Sequence, residues 1–229
     1  MMRLKITWKY CLAFYCVIML YASLHELVHH FAGFAICGEW GYKTFNSFET
    51  ACEGTRQSYL ATYAGPLFTY VMMYVGMYLL RTGNSTYQKQ LGFAMIFAQL
   101  PFQRMTGPLF HMNDEYFATV KLYGASDLNF WLVTILVFAI CIPPLVQAYR
   151  SIENRRPWLW FAFYYFLFPY LLWGPFFGGL EYLMVNKGVL DQTIIGIGLL
   201  FVINEVLTIL LYGFTRKYID PFYPEKVLT

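Results

Sequence analysis

One hexapeptide concentrates the reactive chemistry of this chain: His25-Glu26-Leu27-Val28-His29, followed at once by His30. Residues four apart on a helix share a face, so His25 and His29 can offer two imidazole nitrogens to one Zn2+ ion. Glu26 stands beside them, placed to take a proton from an attacking water. Zinc acidifies water and a neighbouring carboxylate relays the proton to the leaving group, so the pattern reads as metal-assisted hydrolysis with Glu26 as the catalytic base. In a soluble helix the same five residues would read as well as solvated polar side chains. Here they lie in an apolar run, where each charged group costs about 2.5–3.5 kcal/mol, and three of the chain's four histidines stand together in it.

Catalytic zinc normally takes three protein donors and keeps one position open. The densest source of a third donor is His111-Met112-Asn113-Asp114-Glu115. Asp114 leads, with Glu115 and His111 as alternatives. The same stretch also reads as a polar loop in which Asn113 or Asp114 caps a helix starting near Glu115. Glu181 and Glu205 lie in later apolar runs, where pairing within the bundle, with Arg104 or Asn204, suits them better than a metal. Arg104, Asn113 and Asn204 are candidate donors to the oxyanion of a tetrahedral intermediate.

The elements that must position these groups belong to a membrane. Of 229 residues, 59% are hydrophobic and 13% charged, the latter about half of what a water-soluble domain carries. Mean hydropathy is +0.46. Apolar runs bounded by charge or turn residues fall at Trp8 to Cys37, Ser58 to Leu80, Leu91 to Phe110, Phe130 to Ala148, Trp158 to about Met184, and Thr193 to Phe214. They predict an all-α polytopic integral membrane protein of about six transmembrane helices, with residues 1–128 holding the reactive core and residues 129–229 holding three further helices and a short polar tail. Between the first two runs, Tyr42-Lys43-Thr44-Phe45-Asn46-Ser47-Phe48-Glu49 reads as a short membrane-associated strand or hairpin. An exposed strand edge there would suit a substrate that must be unwound before its peptide bond can be attacked.

Placing the N-terminus inside puts 11 of 16 Lys and Arg on the inner side, among them Arg81, Arg150, Arg155, Arg156 and Lys226, as the positive-inside bias prefers. The net charge of +3 is small and scattered, which argues against a nucleic-acid partner. The partners expected are the lipid bilayer and a membrane-protein substrate. Five cysteines without CxxC spacing make neither a disulfide framework nor a sulfur-ligated metal site, although Cys37 and Cys52 could pair in an oxidising compartment.

With these residues in view, the chain resembles the site-2-protease family of intramembrane zinc metalloproteases. The resemblance rests on His25-Glu26-Leu27-Val28-His29 in a first hydrophobic helix, Ala64-Gly65-Pro66-Leu67 in the next, and the acidic element around Asn113-Asp114-Glu115 after a third. It spans roughly residues 15 to 120. It implies a three-helix metalloprotease core, His25, His29 and Asp114 as metal ligands, Glu26 as general base, and cleavage of a transmembrane or membrane-proximal peptide bond.

The chain also departs from the family. Thr69 and Tyr70 stand where members commonly show Asn after the Gly-Pro, and Gln99-Leu100-Pro101 and Met112-Asn113-Asp114-Glu115 replace the Asn-Pro and Leu-Asp-Gly stretches. The family's motif helix usually ends near the cytosol, whereas the charge bias places this one's end outside. Either the site opens away from the cytosol or the count of spans is off by one.

Two other classes compete. His25, His29 and His30 also spell a histidine box of a membrane di-iron oxygenase, a class that needs more histidines than four. A non-proteolytic multi-pass protein, either a transporter or a catalytically idle protease relative that binds membrane partners, would account for Glu181, Asn204, Glu205 and the Gly-Pro breaks, but has no use for Glu26.

Overall fold

The computed structural model describes residues 1–223; Lys226 and the end of the expected polar tail lie outside them. The fold is mostly helical, and four helices are long and apolar enough to cross a membrane: Trp8–Cys37 (α1), Asp127–Arg150 (α7), Pro157–Asn186 (α8), and Leu199–Thr215 (α9), which a 3-10 turn extends to Ile219. The chain is therefore a helical protein of membrane type. Thr7 caps α1 by accepting from the Tyr10 amide, and Gly38 closes it in the left-handed conformation at φ 78°. Its 30 residues run about 45 Å at 1.5 Å each, more than the roughly 30 Å hydrocarbon layer.

Two of the six expected spans are not continuous. The run from Ser58 to Leu80 breaks into Ser58–Ala61 (α2) and Ala64–Leu79 (α3), because the Pro66 ring obstructs the carbonyl four residues back. The run from Leu91 to Phe110 becomes Thr86–Ala98 (α4), Pro101–Thr106 (α5) and a 3-10 turn at Pro108–Phe110. Pro101 has no N–H to continue α4, and Leu100 turns the chain at φ 51°. At 16 and 13 residues, α3 and α4 extend only about 24 and 20 Å. They form a helical hairpin that packs on α1, with α4 largely buried and α3 exposing Leu67, Val71 and Tyr78, and it meets tightly where Gly76 faces Gly92. A Cβ at Gly76 would stand 2.7 Å from the Gly92 carbonyl oxygen.

Around this hairpin the core is aromatic. The Tyr164 ring of α8 stands edge-on to Phe14 of α1 and Phe93 of α4, with centroids 6.2 and 5.1 Å away, the arrangement the ring quadrupole favours. Helix α8 itself carries π turns at Phe163–Leu167, Gly174–Gly178 and Tyr182–Asn186. The first two sit at Pro169 and Pro175, where a widened turn accommodates the missing donor.

The two ends of the bundle differ in character. At one, Met2 N donates to Ser151 O (2.7 Å), Leu4 N to Asn154 Oδ1 (2.6 Å) and Gln90 Nε2 to Arg3 O (2.7 Å). These bonds gather the basic N-terminus, the α3–α4 turn and the α7–α8 loop. At the other, a Cys37–Cys52 disulfide ties the end of α1 to the connector.

That connector forms the expected hairpin, Tyr42–Lys43 (β1) and Phe48–Glu49 (β2), paired antiparallel with Tyr42 opposite Glu49. A second hairpin, Thr193–Ile194 (β3) and Ile197–Gly198 (β4), occupies the start of the expected sixth span, so α9 begins only at Leu199. Gly196 at φ 77° makes that turn. Strand β4 lies parallel to β1, and the sheet order β2-β1-β4-β3 leaves β2 at an edge.

Candidate metal centre

His25 and His29 stand one turn apart on α1, both buried. The His29 Nδ1 lies 2.9 Å from the Ala61 carbonyl at the end of α2. A carbonyl can only accept, so the ring carries its proton on Nδ1 and leaves Nε2 as a bare acceptor. At His25 the Arg104 Nη2 approaches Nε2 at 2.8 Å and Nδ1 at 3.1 Å, and Thr69 Oγ1 lies 2.9 Å from Nδ1. Both imidazoles thus have a partner at Nδ1 and turn Nε2 toward the centre, the arrangement that metal-ligating histidines adopt.

Asp114 opens helix α6 (Asp114–Tyr123) and is set in place by Asn113, whose Oδ1 accepts from the Tyr116 amide. Its Oδ2 lies 3.2 Å from His25 Nε2 and 3.7 Å from His29 Nε2, and the two Nε2 atoms are 3.1 Å apart. Burial opposes a charge on Asp114, but hydrogen bonding to His25 and His29 and the Arg104 guanidinium outweigh it and hold the carboxyl well below the usual carboxylate range.

Three acceptor atoms facing one another at such distances need a proton or a cation among them, and the Arg104 guanidinium already meets two of them, His25 Nε2 and Asp114 Oδ2. The separations of 3.1, 3.2 and 3.7 Å put all three atoms within reach of one ion. His25, His29 and Asp114 can hold a metal ion.

Gly65, from the Ala64-Gly65-Pro66 stretch, lets the start of α3 reach the rings. A Cβ there would lie 2.7 Å from His25 Cε1 and closer still to His29 Nε2. Gly65→Ala is therefore expected to displace His29 and to weaken metal binding by about 10- to 100-fold, the range seen when a ligand's support is disturbed. Competition against a chromophoric chelator measures this, and unchanged affinity would contradict the packing.

Arg104 on α5 joins the centre as well, its Nη1 donating to Asp114 Oδ2 at 3.0 Å. The His25 lone pair that it meets through Nη2 is the one a metal would take, so guanidinium and metal are alternatives at that atom.

Glu115 does not reach the donors. It accepts from the Tyr70 hydroxyl and from Asn113 Nδ2 at 2.7 Å, and it sits 3.7 Å from Arg104. His111 is exposed and stacks on Tyr116 at 4.6 Å. Glu205 bonds Ser23 at 2.7 Å and Asn204 at 3.0 Å, as pairing within the bundle would have it. Glu181 instead grips the β1–β2 turn, accepting from Thr44 Oγ1 at 2.8 Å and Phe45 N at 2.9 Å. His30 turns away from the centre to Ile195 O at 2.9 Å and stacks on Trp40 at 5.1 Å, so the histidine-box reading loses a member.

Glu26 makes no hydrogen bond or ion pair among the described residues and lines two cavities. One, of about 240 Å³, is walled by His25, Gln99, Arg104, Trp173 and Phe177. The other, of about 250 Å³, lies between β2 and the α2 and α6 helices, walled by Phe48, Glu49, Tyr59 and Phe117. Phe48 also stacks flat on His29, with centroids 4.3 Å apart and planes at 6°. Beneath the hairpin Lys43 is fully buried, its Nζ donating to Thr44 O at 2.7 Å over the Phe201 ring. Burial pushes its ammonium down to about 8, against the pull of Glu26, Glu205 and Glu181.

The sequence does not single out Ala61, Thr69 or Glu181 for these roles, because each acts on a partner 32 to 137 positions away. Arg104 and Glu181, charges in apolar runs, carried a signal, but not their partners.

Fold and site together define a helical protein of membrane type with a buried two-histidine, one-aspartate cluster able to hold a metal ion. Comparison with protein-family models, curated proteins and solved structures finds no match to this chain.

Proposed function

We propose that the chain is an intramembrane zinc metalloendopeptidase that cleaves transmembrane or membrane-proximal peptide bonds, as its resemblance to the site-2-protease family implies. The observation that carries this reading is Glu26, without a hydrogen-bond or ion-pair partner among the described residues, next to three donors that could hold one metal ion, where two cavities share their lining. A site that only bound metal, as in an idle relative, would have no use for a free carboxylate beside it.

Zinc, when bound, supplies the Lewis acidity that makes water a nucleophile near neutral pH. Glu26 accepts the proton that the attacking water gives up and delivers it to the leaving amide nitrogen. Ala61 and Thr69 fix the imidazoles, and Arg104 fixes the Asp114 carboxylate. Trp173 and Phe177 line the first cavity with apolar surface suited to a membrane segment.

The disulfide and the charge bias agree on orientation. A stable Cys37–Cys52 bond belongs in an oxidising compartment, and the positive-inside bias puts the same end of α1 outside. His29 stands nine residues before Gly38, about 14 Å from that end, so the reading places cleavage at the non-cytosolic side.

The test is metal content and cleavage together. Chain purified in detergent should carry one zinc by elemental analysis and cut a membrane-spanning peptide. A chelator should stop cleavage and added zinc restore it. Cleavage that survives chelation, or iron in place of zinc, would overturn the proposal.

A further inference from the structure

The two cavities share only three lining residues: Glu26, Asp114 and Asn46. The first two belong to the centre already described. Asn46 is at the tip of the β1–β2 hairpin, and among the described residues its carboxamide has no hydrogen-bond partner.

The tip is held firmly on both flanks. Glu181 accepts from Phe45 N and Thr44 Oγ1, at 2.9 and 2.8 Å. Thr44 N donates to Ser47 O at 2.9 Å, and the Thr44 and Ser47 hydroxyls meet at 2.8 Å. The Phe45 ring is fully buried against Phe177 and Phe201. Every neighbour of Asn46 in the turn is committed to the scaffold, and its own side chain is left at the junction of the cavities.

Among the other donors near the centre, Gln99 has a buried Nε2 without a partner among the described residues but lines only the first cavity, and three more are already engaged. Asn113 caps α6 with its oxygen and bonds Glu115 with its nitrogen. Arg104 is shared between Asp114 and His25. Asn204 bonds Glu205 on α9 and lines neither cavity.

We propose that Asn46 is the side-chain donor to the substrate carbonyl at the scissile bond, its Nδ2–H₂ hydrogen-bonding the oxygen that becomes negative when water attacks. This rests on the peptidase reading. Asn46 is exposed, but the turn that carries it is fixed before the reaction, which limits the reorganisation needed as charge develops, and removing a donor from such a site costs about 10²–10³ in rate. Glu181 acts through the turn and is a positioning residue.

The test uses the zinc-loaded full chain in detergent and a phosphinic tripeptide with apolar side chains, whose PO₂ group copies the tetrahedral oxyanion. Calorimetry should show wild-type binding that a chelator abolishes. Asn46→Ala should bind about 100-fold more weakly with unchanged zinc content and thermal unfolding. Asn46→Asp keeps the shape without the donor and should lose at least as much. Glu181→Gln should weaken binding in the wild-type background but add little to Asn46→Ala, since both remove the same contact. Binding by Asn46→Ala within threefold of wild type would overturn the role of Asn46 and leave the peptidase reading standing. Absence of chelator-sensitive binding in the wild type would overturn both.

Discussion

Glu26→Gln is expected to lower cleavage of a membrane-spanning peptide by about three orders of magnitude or more while leaving one zinc per chain. The amide has the carboxylate's shape and cannot take a proton from water, and a positioned general base contributes about 10²–10⁴ in rate. The substitution should be clean, because Glu26 has no hydrogen-bond or ion-pair partner to lose among the described residues and is not one of the three clustered donors. Elemental analysis and cleavage rate on the same preparation decide it. A variant within tenfold of wild type would remove Glu26 from the reaction and leave a metal-binding membrane protein whose centre does something other than hydrolysis.

What could be read in advance follows from distance along the chain. His25, Glu26 and His29 are one turn of one helix, so their spacing alone declares a shared face. The approach of Gly65 was visible only as a motif, and its reason appears when α3 is packed against the rings with no room for a Cβ. Asp114 is 89 positions from His25; charge scarcity narrowed the choice of third donor, and the family resemblance favoured this residue. Structure places its Oδ2 with the histidines while Tyr70 and Asn113 hold Glu115 aside.

Span counting misled for a physical reason. Hydropathy measures apolar length and is blind to whether a run is one rod, so Pro66 and Pro101 turned two expected crossings into a hairpin of short helices, of which α4 is largely buried and α3 keeps an exposed apolar face. The same blindness hid β3 and β4, whose Thr193, Ile194 and Ile197 are as apolar as the helix that follows. Strands of two residues left β3 and β4 no alternation to detect, whereas the interleaved polar and aromatic residues of 42–49 announced β1 and β2, which carry Phe48 to His29 and Asn46 to the cavity junction.

The second large effect is expected at Asp114. Asp114→Ala should weaken zinc binding by about 10³-fold or more, since disturbing a mere outer partner of a ligand already costs about 10- to 100-fold. Two consequences act together. The third donor is gone, leaving two imidazoles that cannot complete a catalytic zinc site. The Arg104 guanidinium also loses its 3.0 Å acceptor while its Nη2 still faces the His25 Nε2 lone pair at 2.8 Å, so a buried cation competes with the metal for the donor that remains. A second substitution separates the two. In Asp114→Ala with Arg104→Met the competitor is absent and part of the affinity, about tenfold, should return, still far below wild type. Glu115→Gln keeps all three donors and should bind zinc within about 100-fold of wild type. Titration against a chromophoric chelator ranks the four proteins. If Asp114→Ala binds zinc as the wild type does while Glu115→Gln does not, the third ligand is Glu115 and the 3.2 Å approach of Asp114 to His25 is only an ion pair.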